Sequence, residues 1–152
     1  MFNLAAALPA LLPRAIAWAE ARSLEIAATG TALSEVGHRL ARAVGVRHPE
    51  LIRVLEVQAL PLPDDPELRF AALQTGLLGP SIIGLTLGHG IYIIRGRGDA
   101  RLLSHECRHV YQYELAGSIA HFLPTYLHQI ATVGYEHAPL EIDARNHEID
   151  AA

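Results

Sequence analysis

The sequence predicts an α+β fold, a small and mainly antiparallel sheet packed by several helices, with an edge strand above a helix that carries His105-Glu106-Cys107-Arg108-His109. Three observations lead there. Helical patterns come first, then a few short strand-like runs, then helical patterns again. Two apolar, β-branched runs flank the turn "GHG" at residues 88–90. Hydrophobic residues make up 51% and charged residues 18% of 152 positions, enough apolar material for one domain over residues 1–152 to bury a core without staples.

Taken in order, Pro13 suits the first turn of a helix that runs to about Ala28 and is ended by Gly30. Ser34 and Gly45 bracket a second helix as N-cap and C-cap, which completes an N-terminal helical part over residues 1–48. "LIRVLEVQAL" (51–60) is β-branched and partly alternating and reads as a strand, closed by the breaker "PLPDDP". Asp65 before Pro66 caps a short helix through "PELRFAALQ". The runs on either side of "GHG" form a hairpin. Three helices follow, at about 99–116, 118–133 with Pro124 straining or kinking it, and 138–149 with Pro139 near its start, so that the sheet and last helices occupy residues 50–150.

The net charge of −4, with no basic cluster beyond two or three residues, argues against nucleic acid as a partner. One cysteine, Cys107, excludes an intramolecular disulfide. The opening "MFNLAAALPALLPRAIAWAEA" lacks a basic start, contains Pro9 and Pro13, and meets Arg14 and Glu20. It is expected to be an apolar helix of the domain, with no transmembrane segment, offering a surface for a homo-oligomer or partner. The expected compartment is the cytoplasm.

Nine histidines make a chance HExxH a real risk, so its surroundings decide. Catalytic zinc takes three protein ligands and keeps one position for water. Two histidines at i and i+4 supply two of them when they lie on a helix. Asp99 can cap such a helix, and neither Gly nor Pro interrupts it before Gly117. Glu106 then sits about a hundred degrees round the helix, placed to act as general base on a zinc-activated water. Positions 112 and 115 are Gln and Leu, which excludes the metzincin continuation. The only cysteine lies inside the motif, which excludes a deformylase-type upstream cysteine ligand. Glu141, on a later helix after Pro139, can supply the third ligand, and Ala144 on its face permits close helix approach.

"LLSHECRHVYQYELAG", followed by "GY" and "APLEIDA", resembles the gluzincin branch of the zincins in a minimal form. It is similar to small bacterial metallopeptidase-like domains with the pattern HExxHxxQ, Gly-Tyr, Pro-x-Glu-x-x-Ala. The likeness covers roughly residues 82–147. It implies a zinc-dependent peptidase acting on peptide or protein, with zinc on His105, His109 and Glu141 and with Glu106 as base. It also implies an edge strand that binds substrate by strand addition, for which Gly90, Ile91, Tyr92 and Ile93 are the candidates.

Where better-known members carry an aspartate four residues after the third ligand, this chain has Arg145. Gln112 and Asp143 are the candidates to support the zinc histidines, and Tyr135 and His137 those to stabilise an oxyanion. Cys107 faces away from both histidines and is expected to be core. Tyr111, Tyr113 and Tyr126 are expected to pack, His89 to sit in its turn, and His121, His128 and His147 to be ordinary polar residues. The competing functional reading is a zinc-containing regulatory or partner-binding module with little or no catalysis.

Overall fold

The computed structural model describes residues 1–150 and has an α+β fold. Among the described residues the elements run α1 (Leu4–Thr29), β1 (Thr31–Ala32), α2 (Glu35–Ala43), a 3₁₀ turn at Pro49–Leu51, β2 (Arg53–Val57) and α3 (Pro66–Gln74). β3 (Gly84–Leu87), β4 (Gly90–Ile94), α4 (Ala100–Ala116), α5 (Ile119–Val133) and α6 (Pro139–Asn146) complete the chain. Ser34, Asp65, Asp99 and Ser118 cap the starts of α2, α3, α4 and α5 with side-chain oxygens, satisfying backbone N–H groups that a helix start leaves without partners.

α1 begins nine residues before Pro13 and runs through both prolines, so the expected start at Pro13 is corrected to Leu4. Pro9 and Pro13 are exposed and four residues apart, hence on one outer face, where the carbonyls left without N–H partners open to solvent. Asn3 caps the helix by accepting from Ala6 N–H at 3.2 Å. By length and composition α1 is apolar enough to cross a bilayer. Here its inner face packs on α3, α5 and the sheet.

The sheet order is β1-β2-β4-β3. β1 is antiparallel to β2, β2 parallel to β4 and β4 antiparallel to β3, so the sheet is mixed with two antiparallel pairings out of three. β1, unexpected from its two residues "TA", pairs Thr31 with Val54 and ties the N-terminal part into the sheet. β3 and β4 form the expected hairpin, with Gly88 at φ +70° opening its two-residue turn.

The edge strands are β1 and β3, and β3 is the one beside α4. Residues 90–93, expected at the edge, lie in β4 between two strands, and Ile91, Tyr92 and Ile93 are buried on both faces of the sheet. Alternation sends Ile91 and Ile93 towards Cys107 and Val110 of α4 and Val44 and Ala41 beside α2. Tyr92 and Leu87 point the other way, to Ala19 and Ile26 of α1. Each such side chain contributes about 1.5–3 kcal/mol through burial, so α1 and α4 are clamped on opposite faces of one strand pair.

Candidate metal centre

α4 places His105 and His109 on one face, their ring centroids 5.0 Å apart. α6 crosses that face, its approach made possible by Ala144, which is fully buried. Glu141, with a side chain 2% exposed, brings its carboxylate between the two rings. Its Oε1 is 3.4 Å from His105 Nε2, and its Oε2 is 3.0 Å from His109 Nε2. Potential ligand atoms of the three residues all lie within 4.8 Å of one another.

A second ring of contacts fixes the first. His109 Nδ1 lies 2.8 Å from Gln112 Oε1. The amide of Gln112 donates to Leu140 O at 3.0 Å and to Asp143 Oδ2 at 2.9 Å, so its oxygen must be the atom that faces His109. His109 therefore carries its proton on Nδ1 and turns the Nε2 lone pair to Glu141. His105 does the same: Nδ1 lies 2.8 Å from Glu148 Oε2, whose other oxygen accepts from Arg101 at 2.8 Å. Arg108 donates to Asp143 at 2.8 Å and to Val44 O at 2.7 Å, joining this ring to the end of α2. Tyr126 donates to Glu141 Oε2 at 2.7 Å.

This arrangement fits a cation. Two imidazole lone pairs and a carboxylate converge in a nearly dry site, and like-signed partial charges require something positive between them. Glu141 Oε1 is buried with no hydrogen-bond partner among the described residues, a lone pair that a metal ion could take up. A proton is the substitute when no metal is bound. Burial pushes the His109 ring down, but the Glu141 carboxylate outweighs it and lifts the pKa to about 9. Burial likewise raises Glu141, and the two rings more than reverse it, holding the carboxyl well below the usual carboxylate range.

Glu106 lies beside this cluster, 5% exposed. Its Oε1 accepts from the Thr86 hydroxyl at 2.7 Å, and the same hydroxyl lies 3.1 Å from the Glu106 carbonyl. Its Oε2 reaches over Gly84 of β3, where a Cβ would come within 2.9 Å of it. Ile94 N–H donates to Ile83 O at 2.9 Å, so alternation turns the backbone groups of Gly84 and Thr86 away from β4 and towards the free edge. That edge borders a cavity of about 140 Å³ that Glu106, His109, Glu141, Tyr126 and Tyr135 line at one end. Burial, reinforced by the nearby carboxylates, pushes the Tyr135 hydroxyl above the usual phenol range, so it stays a proton donor at neutral pH.

The structure thus brings together His105, Glu106, His109, Gln112, Tyr135, Glu141 and Asp143. His137 is not among them: it is exposed on the turn before α6, where that turn directs it to solvent. Cys107 is fully buried on the far face of α4, and burial pushes its thiol up to about 12. His89 bonds Glu114 at 2.9 Å, a carboxylate that also accepts from the backbone N–H groups of Arg47 and His48, so it serves the hairpin turn. Three residues went unread in the sequence. Thr86 sits on a strand, Glu148 follows the end of α6, and Tyr126 looks like any packing residue of α5. The "GLTL" of β3 offered the one usable signal, a lone hydroxyl in an apolar run. In comparisons with protein-family models, curated proteins and solved structures, the chain matches none of them.

Proposed function

We propose that the protein is a zinc-dependent peptidase, an enzyme of gluzincin type that hydrolyses peptide bonds. The observation that carries this reading is the convergence of two Nε2 lone pairs on a buried, half-satisfied carboxylate, with both Nδ1 atoms already committed elsewhere. Zinc suits a donor set of two imidazoles and one carboxylate, and His105, His109 and Glu141 would hold it. When bound, it supplies Lewis acidity, acidifying water and polarising a carbonyl.

The remaining work falls to the chain. The Thr86 hydroxyl holds Glu106 Oε1, which leaves Oε2 to take a proton from the attacking water and return it to the leaving amine. The outward-facing backbone of Gly84 and Thr86 lets a peptide add to β3 as a further strand and sets its carbonyl beside Glu106. Tyr135, protonated at neutral pH, donates to the oxygen on which negative charge develops. Glu106→Gln tests the assignment, because it retains the side chain's shape and removes the base. About one zinc per chain should persist while hydrolysis falls by roughly 10²–10⁴-fold. Undiminished hydrolysis, or loss of the metal, would overturn the role of Glu106.

A further inference from the structure

The cavity at the metal centre continues away from it as an apolar groove between α1 and α3. Leu4, Leu8, Leu11, Ala15 and Trp18 form one stripe of α1 along it, at steps of three or four residues. At about 1.5 Å per residue that stripe is on the order of 20 Å long. Leu68, Ala71 and Ala72 of α3 form the facing wall. About 140 Å³ of space drawn out over this length is narrow, whereas a compact cavity of about 150 Å³ holds one benzene-sized group.

No charged side chain lines the groove outside the group of Glu106, His109 and Glu141. The hydroxyls of Thr75 and Thr86 are both committed, to Ala71 O at 2.7 Å and to Glu106. The remaining polar groups of the lining are the Trp18 indole N–H and the tyrosine hydroxyls, so a charged substituent along the groove would enter without an opposite charge, at a cost a hydrocarbon does not meet. Leu4, Leu8, Ala15 and Ala72 are each only half-buried, so the groove is open along its far part.

We infer that this groove binds an unbranched acyl chain, and that the substrates of the centre are amides carrying such a chain, as in an acylated peptide. The inference rests on the peptidase reading for the reacting end alone. The head of the chain lies at Glu106 and the free edge of β3, and the hydrocarbon runs between α1 and α3 towards Leu4. A leucyl or phenylalanyl side chain fills only the inner end.

Calorimetric titration of the full chain carrying Glu106→Gln tests this, with N-acyl glycinamides of hexanoyl, decanoyl and tetradecanoyl length against acetyl-leucinamide and acetyl-phenylalaninamide. Binding should tighten about fourfold per added methylene over the length of the groove. Ala72→Phe and Ala15→Phe should each abolish the gain from the longer chains while leaving the hexanoyl compound and the zinc content unchanged. Equal affinity across chain lengths, or a leucyl or phenylalanyl compound binding as tightly as the tetradecanoyl one, would overturn the inference. The same titration after chelation separates the two readings. Length-dependent binding in a chain that takes up no zinc would sink the peptidase alone, and zinc with peptide hydrolysis in the unsubstituted chain, but no dependence on length in the titration, would sink the acyl groove alone.

Discussion

The two walls of the cleft are built on opposite principles. On the α4–α6 side each side chain is held by a directional partner that is itself held: His109 by Gln112 and Gln112 by Asp143, His105 by Glu148 and Glu148 by Arg101. On the α1–α3 side the lining is mostly leucine, alanine and tryptophan, and its one hydroxyl, on Thr75, is turned back to Ala71 O at 2.7 Å. The first wall sets atoms to fractions of an ångström, which metal binding and proton transfer require. The second discriminates only by width and polarity. Damage to the polar wall should therefore appear in metal affinity and turnover, and damage to the apolar wall in the choice of substrate.

The sharpest break is Glu141→Ala, which removes the proposed third ligand and the carboxylate that lies between the two rings. Zinc by elemental analysis should fall from about one per chain to essentially none; a full complement would remove Glu141 from the site. Next comes Gly84→Ala, at the seam between the walls. Its methyl must displace Glu106 Oε2 from 2.9 Å, and a shift of this kind should cost roughly 100-fold in turnover with zinc retained. Unchanged kinetics would mean that Oε2 is not the working oxygen.

Gln112→Leu and Glu148→Gln probe the outer ring. Each should weaken zinc binding by roughly 10–100-fold in a competition with a chromophoric chelator. An effect on catalysis with unaltered affinity would argue that the outer ring does not orient the ligands.

The pH dependence sharpens the comparison further. The folded-state pKa of His109 is raised, so its pairing with Glu141 stabilises the metal-free chain fully below the ordinary value of 6.5 and is lost as pH rises through about 9. Zinc requires the ring neutral and competes with that proton. The difference in Tm between zinc-loaded and metal-free chain should widen between those two values, and a constant gap would refute the coupling. Tyr126→Phe should have the smallest effect. It removes one hydrogen bond to Glu141, and urea unfolding should register a loss of about 1.5 kcal/mol.

Much of this was legible in the sequence because it is local. Caps at Ser34, Asp65 and Asp99, the spacing of His105 and His109, and Pro139 ahead of Glu141 are decided within a few residues of one another. What escaped depends on distant partners. Strand insertion is one such case, since β4 entered between β2 and β3 through pairing with residues nearly forty positions away. Its composition held a hint: "IYII" is apolar without interruption, as a strand covered on both faces must be. Glu148 escaped because it lies beyond the last helix and meets His105 only once the chain has folded back. The start of α1 escaped for the opposite reason, since Pro13, which suits a first turn, is tolerated inside the helix on a solvent face.

α6 has eight residues, fewer than an isolated helix needs to persist in water. Yet it and the segment after it carry Glu141, Asp143 and Glu148, so the centre is complete only while this segment is docked. On the zinc reading, metal occupancy and docking would be a single equilibrium, with zinc as a latch on the end of the fold. Backbone amides of residues 140–149 should exchange with solvent deuterium much faster after chelation, while those of β4 keep the protection of the global fold.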